Sequence, residues 1–136
     1  AYIAVIMKML DDIDNGKGPT IMGDGSECFD FVSVLDCAAA NVCALKASQT
    51  NKFYNVGTGK KTSLLQLAET ILELKNSDLK INFAENSRAT LVKNRVGDPT
   101  LARNEIGFVS KIGIREGLQQ LIDWREQDKQ KISQFD

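Results

Sequence analysis

Histidine is absent from all 136 residues. That excludes Ser-His-Asp and Cys-His catalysis, and every zinc or iron site built on imidazole. Cysteine is scarce: Cys28, Cys37 and Cys43 are an odd number and form no C-x-x-C pair. Cys37 and Cys43 stand six apart, so one helix aims them in different directions. Buried thiols in a reducing compartment are the expectation, with no metal site. A surplus of charge is also missing. The net charge is −1 and the pI about 5.5, so nothing draws the chain toward nucleic acid or an anionic membrane. No apolar run approaches the roughly 18 residues that span a bilayer. Ala1 to Leu10 is apolar but has neither a basic leader nor a small-residue cleavage site, which sets the expectation of a cytoplasmic protein.

What is present suits a folded domain. Apolar residues make up 43% and charged residues 26%, a globular balance. The length suits one domain over residues 1–136. Val5, Ile6, Met9, Leu10 and Ile13 recur at helical spacing, and Asn15-Gly16 ends that helix. Gly18-Pro19 breaks the chain before a short strand at Thr20-Ile21-Met22. Gly23 to Ser26 is a turn, and Phe29 to Val32 is expected to be a second strand. Ser33 opens a helix through Leu35, Ala38, Ala39, Val42 and Leu45, with Asp36 in a capping position.

Phe53 to Val56 reads as a strand, closed by Gly57-Thr58-Gly59. Ser63 and Gln66 form a capping box ahead of Leu64, Leu67, Ala68, Ile71 and Leu72. Leu79 to Phe83 alternates as a half-buried strand does. Ala84 to Asn94 is irregular, with an extended piece at Leu91-Val92. Asp98-Pro99 starts a short helix, Asp98 as cap and Pro99 first in line, that ends near Gly107. Ile114, Leu118, Leu121 and Ile122 mark a last helix, and the polar tail from Glu126 to Asp136 is expected to fray. The fold class is therefore α+β: a small mixed domain of about five helices and several short strands.

Few of these residues carry chemistry on their own. Gly57-x-Gly59 lies between a strand and a helix, but Thr62 stands where a dinucleotide fingerprint has its third glycine. A plain turn is the better reading. Asp24, Glu27, Asp30 and Asp36 cluster in sequence, yet turn chemistry and capping account for Asp24 and Asp36. Arg88 and Arg95 lie in the irregular stretch, where a guanidinium fork suits a diphosphate.

The order of the motifs says more. Gly23-Asp24-Gly25-Ser26 is followed by Asp30-Phe31-Val32-x-Val34-x-Asp36 and Ala39-Ala40-Asn41. Tyr54-Asn55-Val56-Gly57-Thr58-Gly59, Thr62-Ser63 and Leu67-Ala68-Glu69 come next. Gly97-Asp98-Pro99, Ile106-Gly107-Phe108 and Glu116-Gly117-Leu118 precede Trp124. This series resembles the C-terminal, substrate-binding part of the extended short-chain dehydrogenase/reductases, in their NAD-dependent sugar-nucleotide epimerase/dehydratase branch.

The resemblance implies the lobe that accompanies a Rossmann domain. In the family that N-terminal domain holds NAD and a Tyr-x-x-x-Lys pair. Neither Tyr2 nor Tyr54 is followed four residues on by lysine, so no catalytic residue and no cofactor ligand is expected in this chain. The implied ligand is a nucleoside-diphosphate sugar of the UDP type, gripped by this lobe and held against the nicotinamide. Val5 and Lys8 match first-helix positions that face the nucleotide. Thr20 and Met22 match the strand along the base, and Leu64 an apolar residue near it. Arg88, ten residues before Asp98, matches the family's diphosphate-binding arginine, with Arg95 as the competitor.

Two positions depart from the pattern. Phe29 replaces the arginine that usually precedes Asp-Phe, a loss of about 1.5–3 kcal/mol unless Lys8 or Arg95 makes it good. Phe29 would then stack or line the sugar pocket. Leu91 stands where an acidic ribose partner is expected. The implied function is nucleotide-sugar binding within an epimerase/dehydratase, inactive alone, with the Rossmann half as partner and homodimers as in the family. The alternatives are a stand-alone binding module and a nucleotide-sugar 4-keto reductase.

Overall fold

In the computed structural model Ser63 accepts a hydrogen bond from the Gln66 amide (3.1 Å), and the Gln66 side chain accepts one from the Ser63 amide (3.0 Å). This reciprocal cap starts the most apolar helix of the chain. The structure describes residues 4–85 and 92–132, with side chains through 128. Along it run α1 (Val5–Asp14), β1 (Thr20–Met22), β2 (Cys28–Phe29), α2 (Val34–Lys46), β3 (Thr62–Ser63), α3 (Leu64–Leu74), β4 (Asn82–Ala84), β5 (Asn94–Arg95), α4 (Thr100–Ile106) and α5 (Ile114–Ile132). This is the α+β mixture expected from the sequence. The elements fall into two compact units, Ala1–Phe31 with Gly59–Asp98, and Val32–Thr58 with Pro99–Asp136.

In the first unit α1 packs on α3. Met9, Leu10 and Ile13 of α1 and Leu64, Leu67, Ala68, Ile71 and Leu72 of α3 are buried. Each large apolar side chain so buried contributes about 1.5–3 kcal/mol. Lys75, just past α3, pairs with Asp14 at the end of α1 (3.3 Å). Two small sheets complete the unit. In one, β1 runs parallel to β4, with Thr20, Ile21 and Met22 opposite Asn82, Phe83 and Ala84. In the other the order is β3-β2-β5. Gly18 lets the chain into β1: a Cβ there would lie 1.8 Å from the Lys80 carbonyl oxygen. The same close approach lets the Asn82 side chain donate to the Gly18 carbonyl (3.0 Å).

In the second unit α2 packs on α4. Ala40, Ala102, Ile106 and Phe108 form its buried cluster, with Cys43, Ala47, Tyr54 and Val56 against it. Gly107 (φ 71°) ends α4 in the left-handed conformation that glycine adopts without strain.

Several expectations change. Phe53 to Val56 joins no sheet among the described residues. A strand needs a paired neighbour, and no described segment pairs with this one. The second strand is Cys28–Phe29 rather than Phe29 to Val32, because the pairing with β3 and β5 stops there. Thr62–Ser63 is both strand and helix cap. The strand expected over Leu79 to Phe83 is confined to Asn82–Ala84. Asp98 is not the cap of α4; Pro99 takes the N-cap position with no side-chain bond. The last helix continues to Ile132 rather than fraying from Glu126. Glutamine, lysine and arginine favour helix over that stretch. The three cysteines are free and half-buried rather than fully buried.

Candidate functional site

The first unit holds the polar and aromatic side chains that could meet a ligand. β2 is its centre. It pairs antiparallel with β3, placing Cys28 opposite Ser63 and Phe29 opposite Thr62. It pairs parallel with β5, placing Cys28 beside Asn94 and Phe29 beside Arg95. The Cys28 amide donates to the Lys93 carbonyl (2.8 Å) and the Asp30 amide to the Arg95 carbonyl (3.0 Å), which fixes this register. The register brings the Arg95 guanidinium carbon to 5.2 Å from the Phe29 ring centroid. Phe31, two residues on, lies 5.9 Å from the Phe29 ring, tilted by 46°.

Asp30, between the two rings in sequence, accepts from the Gly59 amide (2.9 Å). Phe29 is half-buried and Arg95 exposed, and a cation over a ring at such a surface site is worth about 0.5–1 kcal/mol. Stacking engages the face of a guanidinium, whereas hydrogen bonds lie in its plane. A stacked arginine can therefore still donate to phosphate oxygens.

The Gly57-Thr58-Gly59 loop does not fit a dinucleotide pyrophosphate. Gly59 directs its amide to Asp30 Oδ2 (2.9 Å), and the third glycine is missing. The loop is a turn held by a carboxylate.

The other expected positions sit on separate elements of this unit. Val5 and Lys8 are exposed on α1. Thr20 is half-buried on β1, and Met22 beside it is 43% exposed. Leu64 is buried at the head of α3, where its amide donates to the Glu27 carbonyl (3.0 Å) just before β2. Phe29 and Arg95 are the pair in direct contact. Arg88 and Leu91 lie outside the described residues. Phe31 enters the sequence reading only within the Asp30-Phe31-Val32 motif and not as a site residue; its ring lies against that of Phe29.

Asp24 holds its own turn, accepting from the Ser26 hydroxyl (2.6 Å) and amide (2.9 Å). Those bonds lower its carboxyl below the ordinary value of 3.8. In the second unit Asp36 is buried, with 4% exposure. It accepts from the Ser110 hydroxyl (2.8 Å) and from the amides of Lys111 (3.1 Å) and Ile112 (3.0 Å). Burial raises this carboxyl, but the Ile112, Ser110 and Lys111 bonds outweigh it and hold the group below its ordinary value. Ser33 caps α2 as expected, accepting from the Leu35 amide (3.2 Å), while Asp36 is engaged by the segment before α5 and not in the cap.

Glu105 accepts from Lys52 (2.8 Å) and from the Tyr54 hydroxyl (2.8 Å), and both contacts lower its carboxyl. Burial, then the Glu105 carboxylate, raises the Tyr54 phenol, which makes it a poorer base-forming group. Among the described residues no cluster of acidic and cysteine side chains could hold a metal ion, and no helix is long and apolar enough to cross a membrane.

Residues 3–57 match the NAD dependent epimerase/dehydratase family. A Methanocaldococcus jannaschii protein named for UDP-glucose 4-epimerase is 30% identical over 126 residues, covering 88% of this chain and 38% of that protein. The Thermotoga maritima UDP-glucose 4-epimerase, solved with UDP-glucose, superposes with a TM-score of 0.86 at 26% identity. That match covers 94% of this chain and 41% of the other. A Bordetella bronchiseptica enzyme solved with NAD+ and UDP gives a TM-score of 0.80 at 25% identity, over 96% of this chain and 38% of the other. The chain therefore spans about two-fifths of the length of the relatives it matches. Sequence and backbone trace agree along nearly all of it: the chain belongs to the NAD-dependent sugar-nucleotide epimerase/dehydratase family.

Proposed function

We propose that this chain is the nucleotide-sugar-binding part of an NAD-dependent epimerase/dehydratase, without turnover of its own. The observation that carries the reading is the Arg95 guanidinium seated over Phe29. The resemblance puts an arginine at the Phe29 position as a diphosphate ligand. Here the cation arrives from the neighbouring strand, and the phenylalanine becomes its platform. Arg95 and Arg88 grip the diphosphate, with Lys8 adding charge from α1. Val5, Thr20, Met22 and Leu64 form the apolar side toward the base. UDP and UDP-glucose in the solved relatives support a uridine nucleotide as ligand.

NAD, held by a Rossmann part outside this chain, supplies hydride acceptance and return. No residue here is assigned to that step. The work of this chain is binding and orientation, which sets the sugar in reach of the chemistry.

Calorimetric titration tests the reading. The chain should bind UDP more tightly than uridine, because the diphosphate supplies the charged contacts. Arg95→Ala should weaken UDP by about tenfold or more, the loss of one charge-assisted contact, and leave uridine unchanged. Equal UDP affinity in the variant would remove Arg95 from the site.

A further inference from the structure

β3 carries two adjacent hydroxyls, Thr62 and Ser63, and the fold uses one of them. Ser63 accepts from the Gln66 amide (3.1 Å) as the cap of α3. The Thr62 hydroxyl has no hydrogen-bond partner among the described residues, and the residue is half-buried rather than buried. Extended backbone does not ask for that hydroxyl, since a β-branched valine suits a strand equally well. The register shows what Thr62 faces. It stands opposite Phe29 across β2 and β3, while Arg95 stands beside Phe29 across β2 and β5. Directly opposite residues share a face of a sheet, so Thr62, Phe29 and Arg95 form one row, and the Arg95 contact with the Phe29 ring marks its side.

Two strand spacings, about 9–10 Å, separate the ends of this row. A phosphate held by Arg95 therefore leaves Thr62 to the next unit of the ligand. Leu64, two residues beyond Thr62, begins α3 and stands on the base side of the function proposed above. Thr62 thus falls between the diphosphate end and the base end. The covalent order of a nucleotide is base, ribose, phosphate, so the unit between them is the ribose. A ribose presents hydroxyls, and a threonine hydroxyl can both donate to them and accept from them. Leu91, which stands where an acidic ribose partner is expected, can do neither through its side chain.

We infer that Thr62 is a binding residue of this chain, whose hydroxyl hydrogen-bonds a ribose hydroxyl of the nucleotide and selects ribose over a deoxyribose. The inference rests on the nucleotide-binding reading given above. It adds to that reading the residue at the far end of the row from Arg95 and the part of the ligand it meets.

The test is calorimetric titration of the chain with UDP, 2′-deoxy-UDP and 3′-deoxy-UDP. The unaltered chain should bind UDP about three- to tenfold more tightly than one of the two deoxy analogues, the worth of one neutral hydrogen bond. Thr62→Val should bind UDP more weakly by that factor, bind that analogue as the unaltered chain does, and so lose the discrimination. Thr62→Ser, which keeps a hydroxyl, should retain it. The circular dichroism and thermal midpoint of both variants should match those of the unaltered chain, and a loss of affinity that accompanies unfolding in Thr62→Val is read instead from Thr62→Ser against the two analogues. Equal binding of all three nucleotides by the unaltered chain overturns the inference, as does discrimination that survives in Thr62→Val. An equal loss for UDP and both analogues in a folded Thr62→Val also overturns it, since the hydroxyl then acts elsewhere than on the ribose. UDP binding that falls in Arg95→Ala but shows no coupling to Thr62 sinks the ribose assignment alone, whereas no UDP binding by the unaltered chain sinks both proposals.

Discussion

Asp36 shows how one residue can set the stability of a whole unit. Its carboxylate gathers the Ser110 hydroxyl and two successive amides at Lys111 and Ile112, immediately before α5. Asp36→Ala leaves these donors without their acceptor and should cost about 1–3 kcal/mol, read by denaturant unfolding at neutral pH. The sign of the pH dependence follows from the lowered carboxyl. A group with a depressed folded-state pKa contributes fully above its unfolded value near 3.8 and loses that contribution as pH falls through the folded value. Unfolding curves from pH 6 downward should therefore show a steeper loss of stability for the unaltered chain than for Asp36→Asn. Parallel curves would deny Asp36 this role. The sequence reads Ser33 and Asp36 as a helix-start pair, Ser33 as the cap and Asp36 as its partner three residues on. Nothing local reveals acceptance from donors 74 to 76 residues away. Arg95 over Phe29 is hidden in the same way: both residues were visible as candidates, but their pairing depends on a register between strands far apart in the chain.

At the scale of elements, helices were legible and strands much less so. The apolar positions of α1 and α3 and the Ser63–Gln66 box mark their own boundaries because a helix bonds within itself. Ser63→Ala should cost about 1 kcal/mol, measured as a lower unfolding midpoint, since the Gln66 amide loses its acceptor. Two-residue strands such as Cys28–Phe29 and Asn94–Arg95 have no period to read; their neighbours create them. Phe53 to Val56 is the converse case, a strand pattern that forms no sheet among the described residues. Gly18 was read as a chain breaker beside Pro19, and the structure gives it a sharper role. Gly18→Ala should destabilise the first unit by at least about 1–3 kcal/mol, because its Cβ would meet the Lys80 carbonyl rather than a yielding side chain. A thermal midpoint unchanged by that substitution would place the two backbone segments further apart than described here.

At the scale of the molecule, the ordered motifs identified the family that the comparisons support, although each motif alone is weak. The site is less complete. Arg88 lies outside the described residues, and the remaining candidates are spread over α1, two small sheets and the head of α3. Their joint use by one ligand is the central claim. It is tested most directly by following backbone amide resonances of the isotopically labelled chain during a UDP titration. The account predicts saturable shifts gathered in the first unit, at Lys8, Met22, Phe29 and Arg95, while the amides around Asp36 and Glu105 in the second unit stay in place. Shifts confined to the second unit, or none at saturating UDP, would contradict it.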